Sequence, residues 1–128
     1  MHYSFEKYSE NQGVYLNNPI SAELNNHISP LFKVCFGDRF TLEYMHFLTL
    51  TDGIQINNVI IFSAEELISE LSTFQTSLEL GSNGNMDAYK FCAIHNQYLV
   101  VNFFAHDDIF ESFDTLPQLF DYIISISL

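Results

Sequence analysis

The chain has 128 residues, 48% of them hydrophobic and 16% aromatic, with 13 Phe, 7 Tyr and no Trp. This is too apolar for disorder, and the length suits one domain that buries about two thirds of its unfolded surface. Four Lys and Arg against 16 Asp and Glu leave a net charge of −12, which disfavours direct nucleic-acid binding and anionic membrane surfaces and favours a basic protein partner.

The same charge would also keep an apolar domain in solution. The longest apolar run, Tyr98 to Val101, is broken by Asn102 and is far short of a membrane span. Residues Met1 to Lys7 lack the basic start and apolar core of a signal peptide, so a cytoplasmic protein is expected. Cys35 and Cys92 stand far apart with no CxxC spacing and are expected to be small buried apolar residues.

Taken in chain order, residues Met1 to Asn18 show no clean period and predict either a short edge strand, around Val14-Tyr15-Leu16, or a loose arm. Ser21 is placed to cap a short helix through Ala22, Glu23 and Leu24. Pro30 predicts an interruption, with Ser29 capping a second turn through Leu31, Phe32, Val34 and Cys35. From Phe40 to Leu50 the period is helical, with Phe40, Tyr44, Phe47, Leu48 and Leu50 on one face and Glu43 and His46 among the polar positions. Gly53 is placed as a left-handed cap, and Ile54–Phe62 reads as a strand pair or bent strand around Asn57-Asn58.

Ser63-Ala64-Glu65-Glu66 is a capping box. The helix behind it is expected to bury Leu67, Ile68, Leu71 and Phe74 and to expose Glu65, Glu66, Glu70 and Thr73. A loop, Gly81-Ser82-Asn83-Gly84-Asn85-Met86, then delivers Asp87 to the mouth of the sheet, with Gly81 and Gly84 free to take positive φ. Strands follow at about Asp87–Ile94 and Gln97–Phe104, joined at His95-Asn96 as a hairpin. Both faces of the second are apolar, Leu99, Val101 and Phe103 against Tyr98, Val100 and Phe104. One face packs on helices, and the other is either covered by this chain or is a contact surface. His106-Asp107-Asp108 reads as a loop and Ile109–Phe113 as a short strand. Thr115 caps a last helix with Pro117 in its first turn, Gln118 completing the box, and Leu116, Leu119, Phe120, Ile123 and Ile124 buried.

Little here points to catalysis. Asn83, Asn85 and Asp87 offer alternating oxygens but lack the further carboxylates and late Glu of a calcium loop, so no metal is expected. His106-Asp107-Asp108 is a solvated acidic loop or a partner-contact patch, since adjacent loop residues do not converge by themselves. Neither Cys carries a nucleophile signature, and His27, His46 and His95 read as structural or surface residues. There is no phosphate loop, GxGxxG, GxSxG or HExxH. No cofactor is expected, and no catalytic residue is nominated.

The order of the pieces resembles the SUKH superfamily. Thr41-Leu42-Glu43-Tyr44-Met45-His46-Phe47-Leu48-Thr49-Leu50-Thr51-Asp52-Gly53 is similar to its "LPxxYxxFLxxxNGG" helix and turn. Ile60-Ile61-Phe62-Ser63-Ala64-Glu65-Glu66-Leu67 resembles its strand-to-helix passage, and Gly81 to Tyr89 its "IGSDGGGDxxx" loop and strand. Phe110 to Phe120 is similar to its closing "xxSFxEFL" helix. The chain departs from the family in having one glycine after Asp52, Asn85 where Gly is common, and Phe40-Thr41-Leu42 in place of Leu-Pro.

The resemblance implies a single α+β domain over residues 1–128, with a curved, mainly antiparallel sheet packed by helices on one side. It also implies a non-enzymatic immunity protein that neutralises a cognate bacterial toxin, such as a nuclease, by protein–protein interaction, and the net charge makes a basic toxin the expected partner. The alternative is a housekeeping scaffold or regulatory module without a toxin, as in the fungal cell-wall-synthesis regulators of the family. A monomer or weak homodimer is expected. The expected contacts are Asp52, Asp87, Tyr89, Asp107, Asp108 and Glu111, which read as loop or strand-mouth positions, whereas Gly53, Gly81 and Gly84 shape the backbone.

Overall fold

In the computed structural model, which describes residues 2–72 and 75–128, the apolar runs become one antiparallel sheet of seven strands in sequential order. The strands are β1 (Val14–Leu16), β2 (Ile54–Ile56), β3 (Val59–Ile61), β4 (Ser77–Ser82), β5 (Asp87–Cys92), β6 (Gln97–Asn102) and β7 (Ala105–Phe113). The helices are α1 (Ala22–Phe36), α2 (Asp38–Leu50), α3 (Ala64–Ile68) and α4 (Leu116–Ser127). The fold is therefore α+β, built as a meander in which each strand pairs with its sequence neighbours. No helix among the described residues is long and apolar enough to cross a membrane.

Period-2 alternation puts Ile54, Ile56, Val59, Ile61, Leu78, Leu80, Tyr89, Phe91, Tyr98 and Val100 into one core with the helices. Aromatic rings fill it. Phe40 lies 4.6 Å from Phe91 and 5.4 Å from Phe32, while Phe47 stacks on Phe120 at 4.9 Å between ring centres. Residues Ser4–Lys7 and Glu10–Gln12 form short 3-10 turns, and Tyr3 and Phe5 are fully buried against Phe47 and Phe120. Of the two readings the edge strand holds, forming at Val14–Leu16, and the stretch before it is part of the core.

Pro30 does not break the first helical segment. Helix α1 runs through it for 15 residues, burying Ile28, Phe32 and Phe36 at four-residue spacing. Pro30 and Asn26 both lie on the exposed side, so the carbonyl left without its amide donor can be hydrated. Burial of three apolar side chains outweighs one lost bond. Helix α3 is shorter than expected, ending at Ile68; the face predicted for Phe74, and Thr73 beside it, lies outside the described residues. Its capping box forms, the Ser63 Oγ accepting from the Glu66 amide at 3.3 Å and the Glu66 carboxylate from the Ser63 amide at 3.1 Å.

Leu78-Glu79-Leu80 and Gly81 belong to strand β4, so a strand and not a helix precedes the loop. Of the two loop glycines only Gly84 takes positive φ, at +72°. Gly81 serves close approach, because a Cβ there would sit 2.1 Å from the Ile60 carbonyl oxygen. Gly53 is left-handed at φ +81° but stands beyond the helix end, where Thr51 is the cap. The turn at Asn57 makes 54–61 a strand pair and not one bent strand, and that at Asn96 closes the predicted β5–β6 hairpin, both with φ of 52°.

The second apolar face of β6 is covered by this chain. Ala88, Leu99 and Val101 form a small core on the side away from the helices. His106-Asp107-Asp108 is not a loop but the start of β7, which contains two register shifts against β6. The His106 Nε2 lies 3.5 Å from the Glu79 Oε1 on β4, three places away in the sheet. Flat strands would separate the axes of β4 and β7 by about 14 Å, and the bulged start of β7 together with these two long side chains closes that span over the small core. Cys92 packs there and Cys35 against the main core, both half-buried where full burial was expected.

Candidate functional site

One end of the sheet gathers two hairpin connections. The loop before β5 is closed by Asn83, whose Oδ1 accepts from the amides of Asn85 (3.0 Å), Met86 (3.0 Å) and Asp87 (2.9 Å). The alternating oxygens that resembled metal ligands are partly consumed in shaping the turn. We expect Asn83→Ala to lower stability by about 1–2 kcal/mol and to speed amide exchange at Asn85, Met86 and Asp87. Unchanged exchange there would show that the side chain does not hold the loop.

The β6–β7 turn docks on this loop, the Phe103 amide donating to the Met86 carbonyl at 2.6 Å. Asp87 pairs with Asn102 across the strands, and the Asn102 Nδ2 donates to the Asp108 carboxylate at 3.4 Å. The loop, the turn docked on it and the strand that follows expose apolar side chains: Met86, Phe103, Phe104, Ile109 and Phe110, with Phe104 77% accessible. Asp107, Asp108 and Glu111 are exposed among them. The chain's single Arg is committed elsewhere, since Arg39 donates to the Asn96 and Asp114 carbonyls. The result is an apolar strip with an acidic rim on the outermost strand.

The six expected contacts do not all fall here. Asp107, Asp108 and Glu111 share β7, and Asp87 joins them through Asn102. Tyr89 is a correction: its side chain is fully buried in the main core and offers no surface. Asp52 lies on the turn before β2, five places from β7 in the sheet, and its Oδ1 accepts from the Ala64 amide at 2.7 Å, capping α3. Its carboxylate therefore has a structural task. Sequence reasoning missed Met86, Ile109 and Phe110, and put Phe103 and Phe104 on strand faces. The signal was available in Phe103-Phe104 standing directly before Ala105-His106-Asp107-Asp108, where a tight turn cannot bury two adjacent rings.

On the helix side of this edge, burial raises the Asp87 carboxyl above its ordinary range. Burial first, then the Asp87 charge and Tyr122, pushes the Tyr89 phenol up. The Tyr122 phenol rises for the same reason, with Asp87 and then Glu111 adding to it. A carboxyl raised in the folded state adds stability below its ordinary pKa, and that contribution is lost as pH rises through the folded value. Asp87→Asn is therefore expected to leave acid stability unchanged and to match or exceed the natural chain at neutral pH. Thermal melts across that range check this, and a destabilised neutral variant would contradict it.

Comparison of the sequence with protein-family models and with curated proteins finds no match to either.

Proposed function

We propose that this chain is a non-enzymatic immunity protein that binds a cognate toxin and blocks it by covering its active site or a neighbouring surface. The observation that carries the reading is the β7 edge, where exposed Phe103, Phe104, Ile109 and Phe110 stand beside Asp107, Asp108 and Glu111. Aromatic and aliphatic anchors supply most of the affinity in protein interfaces, and rim charges set partner choice and association rate. A net charge of −12 draws a basic partner to such a rim. The resemblance of four motifs to the SUKH superfamily points the same way, toward toxin neutralisation in the cytoplasm by a protein that acts as a monomer or weak homodimer.

The test is co-expression with a toxin domain encoded beside this chain's gene, scoring growth and co-purification. Restored growth with a stable complex is the expected result. Continued toxicity with no complex would contradict the proposal and favour a scaffold role.

A further inference from the structure

The two outer strands of the sheet differ. Strand β1 has three residues, whereas β7 has nine and, among the described residues, pairs only with β6. Past its bulged start, residues 109–113 of β7 therefore present backbone N–H and C=O groups on one side without a neighbouring strand, a template for a further chain. Register with β6 sets what that chain would meet. Glu111 stands opposite Val100 and lies on the helix side of the sheet, while Ile109 stands opposite Val101 and lies on the other. A strand laid beside β7 places its successive side chains next to these two alternately.

Resting on the toxin-binding reading above, we propose that the partner supplies an extended segment, alternating cationic and apolar residues, which adds to the sheet along β7. Its cations face Glu111 on the helix side, and its apolar residues pack on Ile109. Phe103 and Phe104 anchor one end. A second copy of this chain is a poor occupant of the same edge. Edge-to-edge pairing of two copies would bring two sets of Asp107, Asp108 and Glu111 together, and like charges opposed across strands are destabilising. The edge is thus protected against itself by the same charges that select a cationic strand.

The test uses the intact chain and a short synthetic peptide alternating Lys and Val, at low salt, read by amide hydrogen exchange residue by residue. Protection of alternate amides within 109–113 is expected. A Glu/Val peptide and a Lys/Pro peptide, which cannot form a ladder, should give none. Glu111→Lys, at an exposed position, should weaken the Lys/Val effect on the order of tenfold. Absence of protection on β7, protection on β1 or the helices instead, or equal protection by Lys/Pro would overturn the proposal. Immunity can fail or stand separately. Rescue and co-purification with β7 amides unprotected in the complex would overturn this binding mode and leave the immunity reading intact. Loss of rescue with the peptide result intact would do the reverse.

Discussion

Replacing Glu43 by alanine is expected to lower stability by about 3 kcal/mol, or about 10 °C in Tm, although Glu43 touches no candidate contact. Its side chain is 5% exposed. The Tyr98 hydroxyl donates to one carboxylate oxygen at 3.0 Å and the Leu116 amide to the other at 3.2 Å, while its backbone carbonyl accepts from the Tyr3 hydroxyl at 3.1 Å. One residue therefore ties α2 to β6, to the start of α4 and to the N-terminal segment. Burial raises the Tyr98 phenol, and the adjacent Glu43 charge raises it further, so the phenol stays a donor. Alanine leaves a buried hydroxyl and a buried amide unpaired, and each costs about 1–3 kcal/mol. Glu43→Gln keeps the shape and one good acceptor and should lose about half as much. Equal denaturant midpoints for Glu43→Ala and the natural chain would show that the network contributes nothing.

The second large effect is at Gly81. An added Cβ would stand 2.1 Å from the Ile60 carbonyl oxygen and 2.9 Å from the Ile61 Cα. Both are backbone atoms, so no rotamer change relieves the clash. Strand β3 must move away from β4, and that junction is short: Ile60↔Ser82, Ile61↔Gly81, and the Phe62 amide on the Leu80 carbonyl at 2.8 Å. Gly81→Ala is expected to cost about 3 kcal/mol, at the upper end for overpacking. Gly84→Ala meets nothing within 4 Å and bears only the penalty of φ +72°, about 1 kcal/mol. Chemical denaturation of the two variants side by side separates these reasons. Comparable losses at both positions would mean that Gly81 is a turn residue after all.

The contrast between these glycines shows where sequence reasoning stopped. Local chemistry was legible because its partners lie three or four residues apart. The Ser63 and Thr115 capping boxes form as spelled, and the α4 face of Leu116, Leu119, Phe120, Ile123 and Ile124 is buried throughout. The hairpin turn at His95-Asn96 falls where expected, and Asn57-Asn58 marks the strand pair that was one of its two readings. What depends on distant residues was not legible. Glu43 looks polar in its helix, and only Tyr98 and Leu116, 55 and 73 residues away, make its burial favourable. Pro30 signals a break that three buried neighbours on α1 override. The acidic run at Asp107-Asp108 looks like a loop because strands rarely hold such residues, yet an outermost strand facing solvent can. The acidic contacts themselves were visible, but not that three of them share one strand while Asp52 and Tyr89 serve the core.

The most direct measurement of the central claim is the affinity of the proposed basic toxin partner for the natural chain and for Asp107→Lys/Asp108→Lys/Glu111→Lys, across a range of salt. All three positions are exposed, so circular dichroism should report an unchanged fold. If β7 is the binding edge, the reversal weakens low-salt binding on the order of tenfold or more and flattens its salt dependence. Unchanged affinity and an unchanged salt slope would place the partner on another face and contradict the account.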